Sequence, residues 1–263
     1  MVLVDTHAHL YASAFDEDRE EMLVRARESG VEAIFLPNVD SSTIDAMLRL
    51  EASHPDLCCA MMGLHPCSVG ENYRDELAVV RQWLERRRFC AIGEIGLDFH
   101  WDKTWIPQQE EAFLQQVDWA LEFDLPIAIH SRKSTDRILE LLKPMRQDAL
   151  RGVFHCFSGT VEQARRAVAL GFWLGIGGVV TFKNAGLVEV LSEIPLEHLV
   201  LETDAPYLAP TPFRGKRNES AYVALVAQRL AEVKGVDLET LAQVSSENAR
   251  RLFGSSLPQG GPL

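Results

Sequence analysis

Val2-Leu-Val-Asp-Thr-His-Ala-His-Leu10 sets three apolar residues in a row and follows them with Asp5, His7 and His9 at intervals of two. An apolar start suggests a buried strand, and a period of two would put all three polar side chains on one face of it. Two adjacent imidazoles suit a divalent metal. A chance pair of histidines in a half-buried strand gives the same local pattern, so the choice rests on whether later strand ends supply more ligands.

Working outward, the chain repeats a strand-then-helix unit. Phe15 to Gly30 has helical spacing in Met22, Leu23 and Ala26 and stops at a glycine. Glu32 to Val39 reads as a second strand, followed by a helix through Ile44, Met47 and Leu50. Cys58 to Pro66 reads as a third strand ending in His65, before a helix around Leu77, Val80 and Leu84. Phe89 to Leu97 is the fourth, and Pro107 is placed to start the helix that carries Phe113, Val117 and Leu121. Leu125 to Arg132 and Gly152 to Ser158 are the fifth and sixth, with Thr160 and Gln163 forming a capping box for the helix that follows. Phe172 to Gly177 and Leu199 to Pro206 are the seventh and eighth, and helices over 220–234 and 237–253 complete the chain.

Eight such units in 263 residues predict an α/β fold of the (β/α)8 TIM-barrel type, forming a single domain over 1–253 with a frayed tail at 254–263. An open doubly wound sheet is the alternative; no Gly-rich phosphate loop follows the first strand, where that fold often keeps one.

Composition narrows the function. A hydrophobic fraction of 47% with 24% charged residues is that of a globular protein. The opening residues lack a basic segment leading into an apolar run, and no run reaches membrane-span length, so a cytoplasmic location is expected. Five cysteines without a Cys-x-x-Cys pair argue for reduced thiols and against structural zinc. A net charge of −12 repels polyanions at long range unless basic residues gather at one place.

The ionisable residues at the carboxyl ends of the expected strands are His7, His9, His65, Glu94, His130, His155, Glu202 and Asp204. That is the end where a barrel keeps its active site. Five histidines with acidic partners in this arrangement favour metal over chance. Imidazole and carboxylate donors suit zinc, manganese or other divalent ions, and the set exceeds what one catalytic ion requires. Two ions sharing Glu94 as a bridge could act together on one water and lower its pKa.

Asp5-Thr-His-Ala-His-Leu10, Gly63-Leu-His-Pro66, Gly93-Glu-Ile-Gly-Leu-Asp98, Pro126-Ile-Ala-Ile-His-Ser-Arg132, Phe154-His-Cys-Phe-Ser-Gly159 and Leu201-Glu-Thr-Asp-Ala-Pro206, in this order, resemble the TatD family of metal-dependent hydrolases. The resemblance spans residues 2 to about 253. It implies a barrel of the amidohydrolase type and deoxyribonuclease activity with two divalent ions, zinc, magnesium or manganese. It further implies that His7, His9, Glu94 and Asp204 hold one ion, and Glu94, His130 and His155 the other. Tyr11, where the family often has an acidic or amide residue, and Ser134, where it has Thr or Ala, depart from the pattern and bear on substrate preference.

Around this set, Asp204 is also a candidate general base. His65 is open to two readings, substrate or ligand contact and a buried structural histidine. Arg132 could grip a phosphate oxygen through its forked donors or pair with a neighbouring acid. Cys156 is expected to face away from His155 and pack against helices. Arg214, Lys216 and Arg217 lie in a Pro- and Gly-rich loop, where they could bind phosphate or be solvated. The reaction expected is phosphodiester hydrolysis of DNA from an end, with no membrane and no obligate protein partner. Hydrolysis of a carbonyl substrate, such as an amide, lactone or aminoacyl ester, and a non-catalytic metal-containing scaffold are the alternatives.

Overall fold

The computed structural model describes residues 1–145 and 150–254. The expected tail at 254–263 therefore falls, beyond Gly254, outside the described residues. Strands β1 (Leu3–Asp5), β2 (Val31–Leu36), β3 (Cys58–Ala60), β4 (Ile92–Asp98), β5 (Ile127–Arg132), β6 (Gly152–Phe154), β7 (Phe172–Ile176) and β8 (Leu199–Leu201) alternate with helices. Those helices are α1 (Arg19–Glu28), α2 (Ile44–Ser53), α3 (Tyr73–Arg86), α4 (Ile106–Phe123), α5 (Thr135–Leu142), α6 (Val161–Ala169) and α7 (Leu187–Ser192), with α8 (Val223–Lys234) and α9 (Leu238–Phe253) after the last strand.

All ladder pairings are parallel, in two runs, β1-β2-β3 and β4-β5-β6-β7-β8. Backbone bonds beyond the ladders join the runs. Cys90 donates to the Ala60 carbonyl at 3.0 Å and Met62 to Ala91 at 3.1 Å, which ties β3 to β4. Thr6 donates to the Leu201 carbonyl at 3.0 Å and Asp204 to that of His7 at 2.9 Å, beside an Ala8–Ala205 bridge, which ties β8 to β1. The ring is thereby closed as a TIM barrel.

Period-two alternation divides the core. Val4, Ala33, Phe35, Met61, Ala128, Val153 and Val200 point inward and fill the barrel, while Leu3, Ile34, Leu36, Ile129, Phe154 and Leu174 point outward under the helices. The last turn of α9 plugs the amino-terminal end, with the Phe253 ring stacked on Phe35 at 4.0 Å. Apolar packing thus seals one end and leaves polar side chains to the other.

Helix starts follow local chemistry. Thr160 and Gln163 make the reciprocal capping box on α6, Asp237 accepts from the Thr240 amide at 2.8 Å to cap α9, and Pro107 sits in the first turn of α4.

The strands are shorter than the apolar runs suggest. β1 stops at Asp5, and His7 and His9 lie on an extended segment held alternately by its two neighbours, with Ala8 donating to Phe35 and His9 to Ala205. β3 stops at Ala60, leaving His65 to open a 3-10 turn over Pro66–Ser68 rather than to end a strand. Asp5, expected beside His7 and His9, instead accepts from the Thr203 amide and from the hydroxyls of Thr203 and Ser220.

Candidate metal centre

Glu94, from β4, lies buried at the axis of the carboxyl end, and its two oxygens face different partners. Oε2 is 3.1 Å from His7 Nε2 and 3.5 Å from His9 Nε2. Oε1 is 2.8 Å from His130 Nδ1, 2.9 Å from His155 Nε2 and 3.3 Å from His65 Nε2. Asp204 closes the first side, its Oδ1 lying 3.8 Å from His7 Nε2 and 3.7 Å from His9 Nε2. Asp204 adopts φ +58°, unusual for a residue other than glycine, and this turn aims the carboxylate across the mouth.

The outer ring nitrogens decide which inner ones carry lone pairs. The Tyr11 hydroxyl donates to the Pro37 carbonyl at 2.6 Å, so at 2.9 Å it accepts from His9 Nδ1 and leaves Nε2 bare. Asp98 accepts from His130 Nε2 at 2.9 Å, leaving Nδ1 bare. His155 Nδ1 faces Glu202 Oε1 at 3.4 Å, with Nε2 toward the centre. His7 stacks on His155 at 3.8 Å, and although fully buried neither of its ring nitrogens has a hydrogen-bond partner among the described residues.

Buried, unpartnered nitrogen lone pairs are costly unless something positive meets them. Converging imidazole and carboxylate donors fit a divalent cation well. Donor atoms fall into overlapping groups within 4.8 Å of one another: His7, His9 and Glu94; His7, His155 and Asp204; and His65, Glu94 and His130.

Burial and neighbouring charge tune the groups. Burial alone would raise Glu94, but the imidazoles crowded around it, His155 first and then His65 and His7, outweigh it and hold the carboxyl well below its ordinary value. Burial, with His155 beside it, lowers His7 to about 3. Asp204 is raised to about 6, because burial exceeds the opposing pull of His155 and His9.

Support for the centre comes from three further residues: Glu202, already grouped with the strand-end acids, Tyr11, noted only as a departure from the family pattern, and Asp98, to which the sequence assigned no role. Tyr11, Asp98 and Glu202 orient His9, His130 and His155, and Glu202 also accepts from the Cys156 amide. Gly175 makes room for Glu202, since a Cβ there would lie 2.2 Å from its Oε2. Cys156, expected to pack against helices, turns back at φ +46° and feels the charges of Asp204, Glu202 and Glu94, which add to burial in raising its thiol. Ser134 spends its hydroxyl on the Leu97 carbonyl at 2.6 Å.

The basic candidates divide. Arg132 lines a cleft of about 630 Å³ with His100, Lys133 and Thr135, and its guanidinium lies 5.3 Å from the centre of the Trp101 ring. Arg214 lies over Phe182 at 4.0 Å. Among the described residues neither Arg132, Lys133, Arg214 nor Lys216 is ion-paired. Arg217 is turned away, its fork taken by Asp18 at 2.6 and 2.7 Å.

The family model of the TatD related DNases matches residues 4–254. YabD of Bacillus subtilis, described as an uncharacterised metal-dependent hydrolase, is 42% identical over 96% of this chain and 99% of its own length. The 3'-5' ssDNA/RNA exonuclease TatD of Pantoea ananatis is 34% identical over 96% of this chain and 99% of its own. Among solved structures, the TatD homologue YjjV of Escherichia coli superposes with a TM-score of 0.90 at 33% identity, covering 95% of this chain and 97% of that one. A phosphotriesterase homology protein from the same species shares the fold alone, with a TM-score of 0.72 at 16% identity. With the whole barrel matched and its histidines and carboxylates gathered at one end, the chain belongs to the TatD family of metal-dependent hydrolases.

Proposed function

We propose that this hydrolase cleaves phosphodiester bonds in single-stranded DNA from an end, using two divalent ions. The observation that carries the reading is Glu94, whose Oε2 faces His7 and His9 while Oε1 faces His130 and His155. In this reading His7, His9, Glu94 and Asp204 hold one ion, and Glu94, His130 and His155 hold the other. Zinc, magnesium and manganese all suit such donors. When bound, divalent ions supply Lewis acidity to a phosphoryl oxygen and lower the pKa of water.

The remaining roles fall to the chain. Asp204, whose Oδ1 lies 3.8 and 3.7 Å from the Nε2 atoms of His7 and His9, is placed to take a proton from the attacking water. Arg132 and Lys133 on one side of the mouth, and Arg214 and Lys216 on another, offer the local positive field that a net charge of −12 lacks. Trp101 and Tyr207, 67% and 59% exposed, present ring faces for bases to stack on. They follow β4 and β8, four strands apart in the ring, so a single strand could lie across the mouth between them. The ssDNA/RNA exonuclease description of the Pantoea ananatis relative supports a nucleic-acid substrate.

The test is a side-by-side assay of metal-loaded protein on end-labelled single-stranded DNA and a panel of carbonyl esters, repeated with chelator and with Glu94→Ala. Catalytic release of nucleotides from DNA, lost in both controls, is expected. Turnover of the esters with DNA intact would overturn the phosphodiester assignment, and full metal content without turnover of either would leave a binding protein.

A further inference from the structure

We propose that His65 is a hydrogen-bond donor to the phosphoryl oxygen of the substrate and not a further imidazole ligand, an inference that rests on the phosphodiesterase reading. By proximity alone His65 belongs with Glu94 and His130 in a donor cluster within 4.8 Å. The direction of its outer hydrogen bond argues otherwise.

His65 caps the 3-10 turn Pro66–Ser68, and the Cys67 amide donates to its Nδ1 at 3.0 Å. Pro66 has no N–H, so the first amide that can reach back across the turn is that of Cys67. An Nδ1 that accepts has its lone pair in use and carries no proton, so the ring hydrogen sits on Nε2. The imidazolium form would set one N–H against another at this cap, and so the same bond excludes it.

The arrangement is the reverse of that at the other histidines. The outer nitrogens of His9 and His130 donate hydrogen bonds to Tyr11 and Asp98, which leaves their inner nitrogens bare, and that of His155 faces Glu202 at 3.4 Å. His65 receives at its outer nitrogen, and its inner Nε2 offers an N–H, 3.3 Å from both Glu94 Oε1 and His130 Nδ1. A nitrogen that bears hydrogen in the plane of the ring has no lone pair for a metal. It is suited to an oxygen that gains negative charge, and it stands beside the carboxylate around which the whole site is built. The 3-10 turn fixes this tautomer before substrate arrives, which is the condition under which such a donor stabilises a transition state without reorganisation. No bond to His65 forms or breaks; the ring contributes one N–H···O hydrogen bond.

Three measurements test the assignment on the zinc-loaded protein: NMR with isotopically labelled histidine, metal content by elemental analysis, and turnover of both bis-para-nitrophenyl phosphate and single-stranded DNA. In the parent, His65 should show a protonated Nε2 and a bare Nδ1. His65→Ala should keep the parent's metal content while kcat falls by about 10²- to 10³-fold. His65→Gln, which retains an N–H donor, should turn over at least about tenfold faster than the alanine variant, with metal content again unchanged. Loss of metal in His65→Ala, a protonated Nδ1 in the parent, or an unchanged kcat would each overturn the proposal. If the parent hydrolyses the small phosphodiester and leaves DNA intact, the DNA reading fails, and the same comparison of variants on the small substrate still decides the role of His65.

Discussion

The Tyr11 hydroxyl accepts a hydrogen bond from His9 Nδ1 at 2.9 Å and donates one to the Pro37 carbonyl at 2.6 Å. That relay locks one tautomer of His9 and directs the bare Nε2 at Glu94 and Asp204. Tyr11→Phe keeps the ring and removes the relay. Its metal affinity should fall about 10- to 100-fold, with stability lowered by about 1 kcal/mol, measured by metal titration and denaturant unfolding. An unchanged affinity would show that His9 needs no such partner.

Asp204 is placed both to face His7 and His9 and to accept a proton, and Asp204→Asn separates the two roles. The amide oxygen can still face the centre but cannot take a proton. Metal content should be retained within a factor of a few, with kcat on DNA reduced about 10²- to 10⁴-fold. A variant fully metallated and fully active would remove Asp204 from the chemistry.

Arg217 is committed to Asp18, so it should behave unlike its neighbours in the same loop. Neutralising Arg214 and Lys216 should raise the KM for DNA and flatten its dependence on salt, whereas Arg217→Ala should leave both near the parent values. Its effect lies on stability instead. Arg217, then Arg25, hold the Asp18 carboxyl well below its ordinary 3.8. The folded form thus favours ionised Asp18, and the pair stabilises above pH 3.8 and loses its effect as pH falls through the depressed folded value. The gap in unfolding midpoint between Arg217→Ala and the parent should therefore be open at pH 7 and close in strong acid. A gap independent of pH would assign the effect to packing against the Phe15 ring, 4.7 Å from the guanidinium carbon.

Trp101 has Arg132 over its ring and is 67% exposed. If it serves as a stacking platform, Trp101→Ala should raise the KM for single-stranded DNA by roughly 5- to 100-fold, in keeping with about 1–3 kcal/mol per stacked base. Turnover of a phosphodiester too small to reach it should not change. Equal losses on the two substrates would argue that Trp101 holds the loop in shape and does not touch bases.

Much of this protein is local in origin and readable from the chain. Strand and helix alternate because each short continuous apolar run is followed by one of helical period, and caps such as Thr160 with Gln163 mark the boundaries. The parallel barrel follows from that alternation. It carries every strand's carboxyl end to one mouth, and His7, His9, Glu94, His130, His155 and Asp204 arrive there together. Strand ends were less legible. Val2 to Leu10 and Cys58 to Pro66 look continuous, yet pairing ends at Asp5 and Ala60, because backbone partners and not apolar character set the limit of a ladder.

What only the tertiary structure decided is the set of partners across the barrel. A period of two says which way a side chain points but not which residue of another element it meets. Asp98 reaches His130 because β4 and β5 pair in a register that sets Gly96 opposite His130, and Tyr11 meets Pro37 because the segments after β1 and β2 run side by side. Arg217 finds Asp18 across 199 residues of sequence, which removes from the mouth a charge that looked available in its loop. The stretch from Val2 to Leu10 determines that two imidazoles stand together at a strand's end; Tyr11 and the fold around it determine which nitrogen of His9 is bare.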